Sequence, residues 1–307
     1  MIALSHPHNK KLIILVGRGF VGSAILKELK SLKYVRLFEF DPDWFNKEVL
    51  IFQTENLLLR CNLASVENVA IIWSAGKAGF NASNDEVINE FDNFRVIVDL
   101  FTQQFADTRN YSLEYHLISS GGGLFEGIRN ITSKTIPRPL RPYGHMKYKQ
   151  EQYLTSKDDI TFIYIYRTST LYGFIEKGQR YGLISVLISN LINHNTTPIF
   201  GSYSTMRDYL WVNDAARFIA NKVASNSIYR ERVETFFLAA GQPITIFEIQ
   251  KLIEKISNKR CFISFTEKMN EQHITFSSKC LPNDFKVHSL RFMIKRIYKA
   301  ALNSGTF

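Results

Sequence analysis

The 307-residue sequence holds only three cysteines, Cys61, Cys261 and Cys280, spaced for neither a metal pattern nor a disulfide framework, so we expect reduced structural thiols and no metal centre. No stretch approaches the roughly eighteen apolar residues of a membrane-spanning helix. Met1 to Lys11 lacks an apolar core, which predicts no signal peptide, a cytoplasmic protein and no integral membrane association. Internal repeats, low-complexity tracts and obvious linkers are missing, as is any basic motif with interleaved aromatics of the kind that reads nucleic acid. Acidic side chains also run out: beyond Asp284 there is none, while Lys286, Arg291, Lys295, Arg296 and Lys299 gather on a predicted final helix. Its apolar positions Leu290, Met293, Ile294, Ile297 and Ala301 keep helical spacing. Two readings of that helix stay open, one resting on an anionic membrane and one packed on the protein with a solvated basic face.

What is present suffices for a sizeable core and two lobes, with 45% apolar residues and a net charge of +10 that also suits a small anionic substrate. The apolar run Leu12 to Val16 leads into Gly17-Arg18-Gly19-Phe20-Val21-Gly22 and then into the helical pattern from Ala24 to Leu29. A buried strand, three glycines at this spacing and a helix supply what a dinucleotide needs: a tight turn, close backbone approach to a pyrophosphate and a helix N-terminus facing its charge. A second strand, Tyr34 to Phe40, completes the βαβ unit that the motif requires. Asp41 closes that strand twenty-four positions after Gly17, where a carboxylate grips the adenosine ribose hydroxyls and favours NAD over NADP.

Further along, Asn56 to Arg60 reads as a short third strand running into Cys61-Asn62-Leu63, with Asn62 placed to reach an adenine or to act as a plain turn residue. Val69 to Trp73 is a fourth strand, ended by Ser74-Ala75-Gly76. A capping box at Ser83 and Glu86 opens a helix to about Gln104, with Val87, Phe91, Phe94, Ile97, Val98 and Phe101 along its buried side and Asn93 as the polar exception. Leu113 to Ile118 is a fifth strand running into Ser119-Ser120-Gly121-Gly122-Gly123, and Ile160 to Tyr166 is a sixth. Strands alternating with helices predict an α/β protein with a doubly wound parallel sheet and ligands beyond the strands' carboxyl ends, where every glycine cluster falls.

Between the fifth and sixth strands a proline-rich loop introduces a helix from Tyr143 to Ser156. Tyr143 and Lys147 stand at i and i+4 on one face of it. An ammonium one turn from a phenol favours phenolate, so the pair can trade a proton. Tyr153 and Lys157 repeat the spacing farther along, roughly 80° round the helix at about 100° per residue.

Taken in order, Gly17 to Gly22, Ser74-Ala75-Gly76, the Ser-Ser-Gly-Gly run, Tyr143xxxLys147 with Glu151, Arg167 to Gly173, and Met206-Arg207-Asp208-Tyr209 with Val212 and Asp214 resemble the extended short-chain dehydrogenase/reductases. The nearest likeness is to NAD-dependent nucleotide-sugar epimerases of the UDP-glucose 4-epimerase type, over about Lys11 to Ile256. The resemblance implies a Rossmann-type NAD-binding domain over residues 1–167, to which 207–224 returns, and a smaller carboxyl-terminal substrate lobe over 168–307. It implies that Gly17, Gly19, Phe20, Val21, Gly22 and Asp41 hold the pyrophosphate and ribose of NAD, that Asn62 and Leu63 hold the adenine, and that Ala75, Gly76 and Asn93 hold the middle of the cofactor. Tyr143 and Lys147 would serve the nicotinamide end as catalytic residues. Arg207 would bind the diphosphate of a nucleotide-diphosphate sugar. The expected activity is C4 epimerisation through a 4-ketone, in nucleotide-sugar or surface polysaccharide biosynthesis, by a homodimer paired through the long helix from Ser83 and the Tyr143 helix; the alternatives are an NAD(P)-dependent 4-keto-sugar reductase with the same residues and a non-catalytic nucleotide-binding subunit. Two departures accompany the likeness. The family's Ser or Thr that bonds the sugar oxygen falls here at Gly121 or Gly122, leaving Ser120 as the nearest hydroxyl, and Phe125-Glu126-Gly127 replaces Val-Tyr-Gly. The segment Arg167 to Gly173 lacks the usual asparagine, and the tail has no clear equivalents of the family's last nucleotide-binding residues.

Overall fold

A computed structural model describes residues 11–31, 36–61, 66–106, 112–174, 182–225, 231–265 and 273–304. In chain order the first elements are β1 (Lys11–Val16), α1 (Phe20–Ser31), β2 (Arg36–Phe40), α2 (Lys47–Arg60), β3 (Asn68–Trp73), α3 (Asn84–Ala106), β4 (Ser112–Ser120), the single turn α4 (Gly121–Leu124), α5 (Pro142–Thr155) and β5 (Phe162–Thr168). They are followed by β6 (Thr170–Tyr172), α6 (Leu183–Ile192), β7 (Thr197–Ile199), β8 (Met206–Trp211), α7 (Val212–Ala224), β9 (Val233–Leu238), β10 (Pro243–Thr245), α8 (Ile246–Ser257), β11 (Ile263–Phe265) and α9 (Leu290–Ser304).

The central sheet has six strands in the order β2-β1-β3-β4-β5-β9, and the pairs β1/β2, β1/β3 and β3/β4 are parallel. Strand order reverses at β1, between β2 and β3, which opens a crevice at the carboxyl ends of β1 and β3. Leu12 to Val16 and Val69 to Trp73 are fully or almost fully buried, as expected of strands covered on both faces. Leu12, Ile14, Val16, Val69, Ile71 and Trp73 share one core with Phe94, Ile97, Val98 and Phe101 of α3. The capping box of α3 forms as read: Ser83 Oγ accepts the Glu86 N–H at 3.3 Å, and Glu86 Oε2 accepts the Ser83 N–H at 2.8 Å.

Two elements depart from the sequence reading, which did not find the edge strand β9 and made a strand of a helix end. Asn56 to Arg60 is the last part of α2 and no strand, so the strand expected as fourth is β3. The cause lies upstream, where the Asn46 side chain accepts the N–H groups of Glu48 and Val49 and starts a helix. Leu50, Thr54, Leu57 and Leu58 then face the core at helical spacing, and Leu59, which made the run look continuously apolar, is 85% exposed. Asn62 and Leu63, and Tyr34 at the expected start of β2, lie outside the described residues.

Two compact units divide the chain. The first comprises Met1–Leu124, Pro139–Arg167 and Ala216–Phe236, the second Phe125–Arg138, Thr168–Ala215 and Phe237–Phe307. The second unit has a three-stranded sheet, β10-β8-β6, a two-stranded sheet, β11-β7, and a core shared by Ile184, Leu187, Ile188, Ile249, Ile253, Met293, Ile294 and Ile297 of α6, α8 and α9. The apolar stripe of α9 is thus spent on the unit's own core, which leaves only its outer, basic face to solvent.

Candidate active site

The first unit collects its glycines and polar groups where the sheet ends. Gly17 follows β1 with φ +90°, a conformation that L side chains rarely adopt, and its N–H donates to the Phe40 carbonyl at 2.8 Å. A Cβ on Gly17 would stand 2.5 Å from Ala75 Cα, and one on Gly22 would stand 2.2 Å from the Gly17 carbonyl oxygen and 2.6 Å from Ser74 Oγ. Ser74 Oγ in turn donates to the carbonyls of Val16 or Gly17, at 3.0 and 2.8 Å. These two glycines therefore fit loop against loop. Gly19 differs, because a Cβ there would meet nothing within 4 Å among the described residues. Open space stands in front of Gly19 just where α1 begins at Phe20 and Val21, a helix with no acidic residue in its first turn. An unblocked helix N-terminus beside a bare glycine is a fitting cradle for a pyrophosphate.

Asp41, exposed at the end of β2, accepts the Trp44 indole N–H through Oδ1 at 2.8 Å. Asn93 of α3 donates its amide to the Trp44 carbonyl at 2.8 Å and so fixes the segment that carries Asp41. Beyond β3 the loop at Ala75 and Gly76 sits on Glu90 of α3. Its Oε2 accepts the N–H groups of Lys77 and Ala78 at 2.9 and 2.8 Å, and a Cβ on Gly76 would meet Oε1 at 2.7 Å. The sequence reading missed Glu90, although its place one turn before Asn93 on the same helix was a usable signal.

Glu90 leads to the tyrosine and lysine pair. Pro142 occupies the first position of α5, and Tyr143 follows it, half-buried. Lys147 is buried, its Nζ donating to Gln150 Oε1 at 3.1 Å and lying 4.0 Å from Glu90 Oε1 and 5.9 Å from the centre of the Tyr143 ring. The ring of Tyr143 rests on the glycine run: a Cβ on Gly123 would come within 3.1 Å of it, and a Cβ on Gly144 would meet the Gly123 carbonyl oxygen at 2.2 Å. Glycine at 123 thus lets α5 approach closely enough to lay its tyrosine at the end of β4. Phe80 flanks the same ring at 6.3 Å between centroids. Ser120 Oγ accepts the Gly123 N–H at 3.0 Å, a bond that still leaves its own proton to donate. Below them Ser119 donates to the buried carboxylate of Glu151, which Arg167 grips through both oxygens, at 3.1 and 2.7 Å.

The second pair is engaged differently. Tyr153 Oη donates to Asp99 Oδ1 at 2.5 Å, and Lys157 Nζ lies 2.6 Å from the same oxygen, a contact that raises the Lys157 pKa. Tyr153 and Lys157 therefore tie α5 to α3.

Arg207 lies on β8 in the second unit, partly buried, its Nη1 donating to the Met206 carbonyl at 3.1 Å. The neighbouring carboxylates serve that unit's framework. Asp208 accepts the N–H groups of Ala240 and Gln242 at 2.6 and 3.2 Å and has its pKa raised by burial, and Asp214 accepts the His288 N–H at 2.7 Å. Burial pushes the Cys61 and Cys261 thiols up to about 11, as befits structural rather than reactive cysteines. Among the described residues no group of side chains is arranged to hold a metal ion.

A six-stranded sheet with its switch point at a glycine cradle, and a Tyr-x-x-x-Lys helix beside it, define an extended short-chain dehydrogenase/reductase. The chain belongs to the NAD dependent epimerase/dehydratase family, whose profile matches residues 13–228, and its cofactor is NAD. Among curated relatives, a Methanocaldococcus jannaschii protein provisionally named UDP-glucose 4-epimerase is 26% identical over 70% of this chain and 73% of its own. The dTDP-4-dehydro-6-deoxyglucose reductase of Escherichia coli is 23% identical over 84% of this chain and 85% of its own. Among solved structures, UDP-glucose 4-epimerase of Thermus thermophilus, in complex with NAD, superposes with a TM-score of 0.75 at 15% identity, covering 94% of this chain and 99% of that one.

Proposed function

We propose that this protein interconverts the C4 epimers of a nucleotide-diphosphate sugar through a transient 4-ketone, serving nucleotide-sugar or surface polysaccharide biosynthesis. The observation that carries the reading is the placement of Tyr143 against Gly123, next to Ser120 at the carboxyl end of β4, with Lys147 one turn on. Tyr143 takes the proton of the C4 hydroxyl and returns it after the ketone has turned its other face, while Ser120 donates to the sugar oxygen. Lys147, held by Gln150 and Glu90, stays fixed beside the phenol. NAD, when bound, supplies the hydride acceptor and donor. Gly17, Gly19, Phe20, Val21 and Gly22 are the residues for its pyrophosphate, Asp41 for its ribose, Ala75, Gly76 and Asn93 for its middle, and Asn62 and Leu63 for its adenine. Besides that role, the Asn93 amide holds the Trp44 carbonyl and so the segment that carries Asp41. Arg207 takes the substrate diphosphate and two chains pair through α3 and α5; of the stretch 207–224 expected to return to the cofactor lobe, only residues 216–224 belong to the first unit, and β8 with Arg207 stays in the second.

The match to the Escherichia coli reductase along most of both chains favours a second reading, reduction of a 4-keto sugar by the same residues with a nicotinamide cofactor that leaves at each turnover. The nucleotide released when the purified protein is denatured separates the two. Stoichiometric NAD is expected of the epimerase, and protein that releases none while consuming reduced cofactor on a 4-keto sugar overturns that reading in favour of the reductase.

A further inference from the structure

We infer that the outer face of α9 docks on a lipid surface rich in anionic headgroups. At about 100° per residue, Arg291, Leu302, Lys295, Lys299, Phe292 and Arg296 fall within one arc of about 140°, opposite the buried Met293, Ile294, Ile297 and Ala301. All four cations point outward, and no acidic side chain shares α9 with them. Between them stand two apolar side chains that face water, Phe292 at 54% and Leu302 at 50% exposure. Arg296 lies 6.0 Å from the Phe292 ring, so cation and ring share one patch. At a bilayer surface the cations meet headgroup phosphates, while Phe292 and Leu302 reach the acyl boundary. A folded nucleic acid offers the first partner and not the second. Because the stripe that anchors α9 in its own unit points the other way, docking needs no unfolding.

The test is co-sedimentation of the full chain with vesicles of phosphatidylglycerol and phosphatidylcholine, and with phosphatidylcholine alone. We expect binding to the anionic vesicles only, weakened about tenfold or more by the double change Lys295→Gln and Lys299→Gln. Phe292→Ser should weaken it further, and Lys47→Gln, an exposed cation on α2, should not weaken it. Retained NAD and an unchanged melting curve confirm that each variant is folded. Binding to neither vesicle or equally to both overturns the proposal, as does an equal loss from Lys47→Gln. Full binding by Phe292→Ser overturns it too, because the contact is then ionic adsorption, and so does displacement by RNA at lower concentration than by lipid.

Discussion

Tyr143 and Tyr153 sit ten residues apart on one helix, each with a lysine four positions on, and their surroundings differ. Asp99 holds Tyr153 and Lys157 together, whereas Tyr143 lies over a glycine that leaves it room and Lys147 is steadied by Gln150. The bare spacing did not separate the pairs, because the glycine and the aspartate that do so are distant in sequence. Ser120 shows the same limit: its nearness to the missing family hydroxyl was legible, and its bond to the Gly123 N–H was not. Ser120→Ala should therefore slow turnover, with a loss of about 1 to 3 kcal/mol where a buried partner is stranded, and should keep NAD binding. Steady-state rates with NAD content measured alongside check this, and an unchanged rate would confine Ser120 to capping that turn. In the proposed function Asp41, steadied by Trp44, carries the cofactor preference. A carboxylate that accepts ribose hydroxyls repels a 2′-phosphate, so titrations should show NAD bound more tightly than NADP and the gap narrowed by Asp41→Ala. Equal affinities in the unaltered protein would remove that assignment.

Among the elements, β1, its glycine loop and α1 were legible because strand, glycines and helix follow one another within about twenty residues and each obeys a local rule. α2 was not legible, since Leu57-Leu58-Leu59 reads equally as strand and as helix until the Asn46 cap and the burial of Leu50 and Thr54 decide. Local rules also conceal what each glycine is for. Gly22 avoids the Gly17 carbonyl, whereas Gly19 avoids nothing among the described residues. Gly22→Ala should lower the melting temperature even without cofactor. Gly19→Ala should leave the melting temperature of the cofactor-free chain unchanged and weaken NAD binding. Calorimetry on both variants checks the contrast, and a destabilised Gly19→Ala without cofactor would mean that its open face is filled by the protein itself.

Across the whole molecule, the alternation of strands and helices sufficed to read five of the six strands of the central sheet but not β9 at its edge, while contacts between distant strands lay beyond any local pattern. Lys11 at the start of β1 reaches across β3 to Glu114 of β4 at 2.9 Å, and Glu114 also lies 3.5 Å from His116, whose other ring nitrogen is 2.9 Å from Tyr166 Oη of β5. Burial would raise the Glu114 carboxyl, but the His116 and Lys11 contacts prevail and hold it down at about 2, against an ordinary 4.5. A depressed folded-state value contributes stability that is present above the unfolded value and is lost as pH falls through the folded one. The melting temperature should thus drop between about pH 4.5 and about pH 2, and Glu114→Gln should flatten that part of the profile while lowering stability at neutral pH. A profile identical in the variant would assign the acid sensitivity elsewhere.

The central claim is that one fold binds NAD at the β1 switch point and moves a sugar proton through Tyr143. It is tested most directly by following C4 interconversion of UDP- and dTDP-hexoses by the purified protein without added cofactor, beside Tyr143→Phe and Tyr153→Phe. We expect epimers to appear with no net reduced cofactor. Tyr143→Phe should cut the rate by about 10² to 10⁴ while retaining NAD, and Tyr153→Phe should leave it close to the unaltered protein's. A full rate for Tyr143→Phe, or a large loss from Tyr153→Phe in its place, would contradict the claim.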